Sequence, residues 1–185
     1  MSIVTKQGDH GTTRLLSGEE VKKSELRLEA MGVADMLCAQ LGLSRALLHR
    51  LSGDGIAGIE REIFDLQVDI GRFCAEIASA TPDQQPLVKV TAKPHVERIE
   101  GRIRALESSV KLPRSFIIPG ATEASAAMDV ARSVARRLER QTVALSEARH
   151  YDNAHGLIYI NRLSDYMFML ARAIEACAGV KFDTK

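Results

Sequence analysis

Tryptophan is missing from this 185-residue chain, and aromatic residues make up only 4% of it. Beside abundant Leu, Ala, Ile, Arg and Glu, that scarcity gives a helical composition. Neither sign of charge dominates: 25 Lys and Arg face 24 Asp and Glu, a formal net charge of +1. So close a balance removes the electrostatic case for nucleic acid or an acidic membrane surface as partner. The opening residues, Met1-Ser2-Ile3-Val4-Thr5-Lys6, contain no apolar h-region, and no later run has the length of a membrane span. A soluble, cytoplasmic protein with no membrane contact is therefore expected. Cysteines are too few for a disulfide framework. Cys38, Cys74 and Cys177 are isolated, odd in number and set in apolar helical contexts, which suits buried structural thiols better than metal or redox work.

Familiar catalytic signatures are also lacking. Glu147-Ala148-Arg149-His150 is a single Glu-x-x-His, whereas a di-iron bundle needs two such motifs and two further inward carboxylates. His10, His49, His95 and His155 are scattered without ligand spacing, so no protein-held metal is expected. No Ser/His/Asp or Cys/His nucleophile arrangement is present.

What the chain does contain is helical periodicity, in five segments. The first runs from about Ser24 to Leu51, with Ala30, Ala34, Leu37, Leu41 and Leu48 on one stripe, and stops at Ser52-Gly53-Asp54-Gly55. The second, about Ile56 to Ala80, aligns Ile59, Ile63, Leu66, Ile70, Phe73 and Ile77, and ends before Thr81-Pro82-Asp83. A third covers about Pro94 to Ser108. Lys111 to Gly120 reads as an extended connection, since Pro113, Pro119 and the pair Ile117-Ile118 disfavour helix. The fourth helix, about Glu123 to Arg149, carries Ala124, Met128, Ala131, Ala135, Leu138, Thr142 and Leu145. The fifth, about Ala154 to Gly179, carries Ile160, Leu163, Met167, Leu170 and Ile174. Long helices on short loops pack as an all-α, up-and-down five-helix bundle. The expected division is one domain over residues 1–185, with a binding segment at 1–23 and the bundle at 24–180.

Three stretches carry chemistry. Thr5-Lys6-Gln7-Gly8-Asp9-His10-Gly11-Thr12-Thr13 has too little apolar content for core and the makings of a polyphosphate cradle. Gly8 and Gly11 let backbone N–H groups turn onto anionic oxygens, the threonine hydroxyls add donors, Lys6 adds charge, and Asp9 can hold a metal ion or its water shell. A nucleotide is the first ligand this suggests, although a Gly/Asp/Thr turn at a chain start also serves as a plain turn, and no Walker A pattern closes the loop. In the fourth helix Arg132, Arg136 and Arg140 lie one turn apart with Arg137 and Glu139 beside them. Those guanidiniums repel one another unless an anion sits among them, either a bound phosphate or neighbouring carboxylates such as Glu139 and Glu147. In the fifth helix Asn161, Arg162 and Asp165 can meet along one stripe, as an intrahelical ion pair or as the lining of an interface or pocket.

Taken together and in this order, these blocks resemble the PduO-type ATP:corrinoid adenosyltransferases. The family's Thr-Lys-x-Gly-Asp-x-Gly-x-Thr-x-Leu is met by Thr5, Lys6, Gly8, Asp9, Gly11, Thr13 and Leu15. Val21, Lys23, Arg27, Glu29, Ala30, Gly32 and Asp35 meet the next block, Arg132 to Arg140 the third, and Tyr159 to Arg172 the last. The resemblance implies a homotrimer that binds ATP with Mg²⁺ at subunit interfaces. Thr5, Lys6, Gly8, Asp9, Gly11, Thr12 and Thr13 would wrap the triphosphate, with Lys23, Arg132, Arg136, Arg137, Glu139, Arg140 and Asn161 completing the nucleotide site. Asp35 would pair with Arg136 of the adjacent subunit, and Phe116 would lie near the lower face of a corrinoid such as cobalamin. The implied reaction is attack of a Co(I) corrinoid on C5′ of ATP with triphosphate leaving, followed by possible hand-off to an adenosylcobalamin-dependent enzyme. The chain departs from the family pattern at Met36, Cys38, Ala121 and Asp129. The alternative is a divergent paralogue that binds ATP or adenosylcobalamin as a carrier or sensor without turnover.

Overall fold

Five helices follow the five periodic segments. In the computed structural model, which describes residues 3–4, 6, 8–79 and 91–185, they are α1 (Leu26–Leu48), α2 (Ile56–Ser79), α3 (Lys93–Ser109), α4 (Glu123–Glu147) and α5 (Ala154–Cys177). Thr5, the expected end of the second helix at Ala80, and the turn Thr81-Pro82-Asp83 lie outside the described residues. Every stripe residue named above is buried, from Ala30 on α1 to Ile174 on α5. The hydrophobic effect acting on one face of each helix therefore accounts for the architecture. α1 alone among the described helices is long and apolar enough to cross a membrane by length and composition, which the sequence reading did not anticipate; its stripe faces α2 and α4.

Helix ends are set by local chemistry. Thr122 caps α4 by accepting the Ser125 N–H at 3.0 Å, and Asn153 caps α5 by accepting from the N–H groups of His155 and Gly156. Neighbours in space are not all neighbours in sequence. α4 packs on α1 and α5, while α3 packs closely on α5 and meets α2 only through long side chains. The extended stretch after α3 gives the chain room for that crossover.

Where α2 faces α3 and α5, polar clusters replace close packing. The buried Asp69 of α2 accepts from Tyr159 Oη of α5 at 2.8 Å and from Arg98 of α3. Glu62 accepts from Tyr166 and pairs with Arg102. Glu76, fully buried, takes hydrogen bonds from Tyr151, Asn153 and both the N–H and hydroxyl of Thr91. These contacts satisfy buried charge that would otherwise be costly. Burial, with the adjacent Glu76 and Asp69 carboxylates, raises the Tyr151 and Tyr159 hydroxyls above the ordinary tyrosine value.

Four short strands were not foreseen. β1 (Thr12–Arg14) and β2 (Glu20–Lys22) form an antiparallel hairpin, and β3 (Ile117–Ile118) pairs with β4 (Asp183–Thr184). The three cysteines are free and half-buried, packed against the core and not sealed within it as the reading of buried thiols expected. Burial, with Asp35 and Cys38 nearby, pushes the Cys74 thiol up to about 11, which keeps it in the protonated, unreactive form.

Candidate functional site

The hairpin shapes the N-terminal loop. Thr12 pairs with Lys22 and Thr13 with Val21, and the turn is closed by Leu15 N–H to Glu19 C=O and Gly18 N–H to Leu15 C=O, both 2.9 Å. Gly11 takes a positive φ of 79°, a left-handed conformation that costs glycine nothing. Its carbonyl accepts the Lys23 N–H at 2.9 Å, so the segment after β2 is stapled to the loop before β1. Lys6, with a φ of 60°, is one of two non-glycine residues described in that region, and local strain of this kind gathers at ligand sites.

Between these segments lies an open cavity of about 810 Å³. Lys6, Gly8, Asp9, Thr12, Thr13 and Lys23 line it, together with Val4, Arg14 and Glu20. Three cations and two carboxylates surround hydroxyls and backbone, a net positive, strongly hydrogen-bonding lining that fits a polyphosphate. Arg14 and Glu20 were missed by the sequence reading, and they face each other across the hairpin at 3.5 Å. Their only signal was Gly18, a turn residue between two short stretches too brief to show alternation.

On α4 the arginine ladder divides. Arg136 and Arg140 are exposed and make no ion pair or hydrogen bond among the described residues. Arg132 is held by Asp129, Nε to Oδ1 at 3.0 Å, and Asp129 is itself bound by the fully buried Arg172 at 2.6 Å. Arg172 also donates to Glu175 at 2.8 Å, so a four-member ion network runs from α4 into α5. Burial raises the Glu175 carboxyl above its ordinary value against the pull of Ser125 and Arg172. Arg137 pairs with Glu29 of α1 at 2.6 Å, and Glu139 accepts from Asn161. Asn161 accepts in turn from Arg162, which reaches Glu100 on α3. Arg162 and Asp165, expected to meet, do not pair: Asp165 is exposed.

Asp35 is exposed on α1 and makes no side-chain hydrogen bond or ion pair among the described residues. Phe116, in the extended stretch after α3, is 76% exposed. The ladder arginines, Asn161 and Asp35 do not line the cradle, so within one chain the cradle, the free guanidiniums and Phe116 stand as separate parts. Among the described residues no group of three His, Cys, Asp or Glu could hold a metal.

Comparison with known proteins gives a consistent result. The family described as cobalamin adenosyltransferase matches residues 3–174. The corrinoid adenosyltransferase PduO of Citrobacter freundii is 36% identical over 175 residues, 94% of this chain, and the match covers 50% of that protein. The chain thus spans about half the length of this relative and of its counterpart from Salmonella typhimurium. A corrinoid adenosyltransferase of Bacillus subtilis is 34% identical, with 97% of this chain and 90% of that one aligned. Among solved structures, a variant of the PduO-type ATP:corrinoid adenosyltransferase from Lactobacillus reuteri complexed with cobalamin and ATP superposes with a TM-score of 0.87 at 29% identity, covering 100% of this chain and 96% of that one.

Proposed function

The chain belongs to the cobalamin adenosyltransferase family, and from that premise we propose that it transfers the 5′-deoxyadenosyl group of ATP to the cobalt of a Co(I) corrinoid, releasing triphosphate. The observation that carries this reading is the cradle of Lys6, Gly8, Asp9, Thr12, Thr13 and Lys23, a triphosphate-sized cavity of hydroxyls, amides and cations. Co(I) is a strong nucleophile, so no protein base is needed. The protein binds and aligns ATP, offsets charge on the leaving triphosphate, and excludes water. Arg136 and Arg140, exposed and unpaired among the described residues, are the guanidiniums suited to that charge.

We assign Mg²⁺ to the same cradle, where it would neutralise part of the triphosphate charge. Asp9 is an exposed carboxylate among hydroxyls, the cradle's other carboxylate, Glu20, being paired with Arg14; such a hard-oxygen donor set suits an ion held mainly by phosphates and water. The separation of cradle and ladder within one chain supports a homotrimer in which each interface completes a site, with Asp35 pairing to Arg136 of a neighbouring subunit. Arg132, Arg137, Glu139 and Asn161 then act by framing Arg136 and Arg140, since their side chains are already engaged. Phe116, exposed beside the bundle, would approach the lower face of the corrinoid, and its exposure supports that reading. A cytoplasmic setting follows from ATP as co-substrate, and an adenosylcobalamin-dependent enzyme is the natural recipient of the product. The comparisons do not favour the non-catalytic carrier.

The test is incubation of the protein with reduced cobalamin and Mg-ATP, following the cobalt–carbon bond by absorption. Formation of adenosylcobalamin with one triphosphate released per turnover is expected. Binding of both ligands without that bond would support the carrier instead.

A further inference from the structure

Arg27 stands on the first turn of α1 and is only 1% exposed. A guanidinium at that depth requires hydrogen-bonding anions around it. Glu19 receives Nη1 at 2.8 Å and Nη2 at 3.0 Å, and Glu25 receives Nη2 at 3.0 Å as well as Nε. Such a two-pronged grip fixes orientation as well as distance. Glu19 belongs to the turn that closes the β1–β2 hairpin, and Glu25 is the N-cap of α1. One side chain thus joins three pieces of chain.

The hairpin has few other attachments. Among the described residues its strands pack closely on each other and on no helix, and of the hairpin's side chains Leu15 and Val21 are the buried ones. Yet it carries two walls of the cradle: Thr12 and Thr13 lie on β1, and Lys23 follows β2. A shift of the hairpin relative to α1 moves both walls together, and displacements of about 1 Å at such a site cost roughly a hundredfold in related contexts.

We propose that Arg27, acting through Glu19, is a positioning residue for the nucleotide's polyphosphate: it touches no ligand, and it holds the hairpin that presents Thr12, Thr13 and Lys23. This rests on the reading of the cradle as the ATP site. A pair serving stability alone would have no preference between substrates.

The test compares Glu19→Gln and Arg27→Lys in the full chain. Glu19 has a side chain 39% exposed, so its neutral replacement leaves the core intact; Arg27→Lys keeps the charge and loses the fork. Expected is a rise of about tenfold in the Mg-ATP Kd by calorimetry and in the ATP KM for both, with the corrinoid KM and the kcat at saturating ATP within about twofold. Glu97→Gln, which removes an exposed pair with Lys93 on α3, is the control and should bind as wild type. Folded Glu19→Gln with the wild-type Mg-ATP Kd overturns the positioning role, whatever Arg27→Lys does. Equal losses for ATP and corrinoid overturn it too, because they indicate general destabilisation. Wild-type protein that binds no Mg-ATP sinks the cradle reading and this inference together. Wild-type protein that binds Mg-ATP without transferring the adenosyl group sinks only the activity.

Discussion

The ammonium of Lys23 packs against the backbone of Gly8 so closely that a Cβ on Gly8 would stand 2.7 Å from Nζ and 3.0 Å from Cε. Real contacts of that kind do not occur, so Gly8→Ala forces the lysine to move. The displaced atoms are the far end of a flexible side chain, and Gly8 has no left-handed φ, so the fold should survive. Expected is a several-fold weaker Mg-ATP affinity with the melting temperature nearly unchanged. Titration calorimetry beside a thermal melt checks it.

Arg136→Ala and Arg140→Ala should each lower turnover at least about tenfold, on the order of removing one preorganised donor to developing charge. Both residues are exposed and unpaired among the described residues, so stability should shift by no more than about 0.5 kcal/mol. Steady-state rates with saturating ATP and corrinoid measure the first effect. Near-normal rates in both variants would remove these residues from the mechanism.

Asp35 and Arg136 should couple across a subunit interface. In a double-mutant cycle of Asp35→Ala and Arg136→Ala, an interaction of about 1 kcal/mol or more is expected in ATP affinity or in trimer dissociation. Sedimentation and nucleotide titration provide the readouts, and strict additivity would dismiss the pair.

Phe116→Ala should cost little stability. An exposed ring forfeits none of the roughly 3 to 5 kcal/mol that deleting a buried one does, so a change within about 0.5 kcal/mol is expected. Its effect should fall on the corrinoid: slower adenosylation starting from Co(II), with ATP binding unaltered. The absorption spectrum of bound Co(II) corrinoid decides it, since a variant that removes the lower ligand as well as wild type does leaves Phe116 without that role.

Acid should undock the hairpin. The hydrogen bond from Arg27, aided by its charge and by His150, outweighs desolvation and holds the Glu19 carboxyl below its ordinary 4.5, with Glu25 sharing the same guanidinium. A carboxyl lowered on folding lends stability above its unfolded value, and that stability is lost as pH falls through the folded one. Amide exchange protection at Leu15 and Gly18, corrected for intrinsic rates, should therefore persist from neutral pH through about 4.5 and fade below it. In Glu19→Gln the acid step should be missing.

The helices were legible because burial repeats: Ala30 to Leu48 and Ile160 to Ile174 follow the helical period, and each of those residues is in the core. The hairpin was not, because three residues per strand carry too little alternation and the surrounding threonines and lysines suit loop and strand alike. Arg27 and Arg172 were overlooked as buried groups since periodicity counts arginine as surface; their carboxylate partners Glu19, Glu25, Asp129 and Glu175 lie at sequence distances that no helical spacing links as one set. The even spacing of Arg132, Arg136 and Arg140 gives no hint of which cation is already engaged. Asp129, three residues before Arg132, engages that one, and only the fold shows Arg172 fastening Asp129 from the other side. Phe116 could be read as lying in an extended stretch, but how far its ring stands out of the bundle could not, because no periodicity governs a Pro-bounded connection.

The pairing of β3 with β4 gives the two substrate regions different histories. Ile117 and Ile118 meet Thr184 and Asp183 only after the whole of α4 and α5 has been laid down, for the sake of a two-residue ladder and one further bond from Lys185 N–H to the Phe116 carbonyl. Closing so large a loop costs entropy that few hydrogen bonds offset, so the contact forms late and opens early. The cradle is the reverse case, its hydrogen bonds and the Arg27–Glu19 pair joining residues close together in the chain. In folding, the hydrogen-bonded frame of the cradle should therefore form before the segment bearing Phe116 has a fixed course, an order that pulse-labelled amide exchange at Gly18 and Lys185 would check.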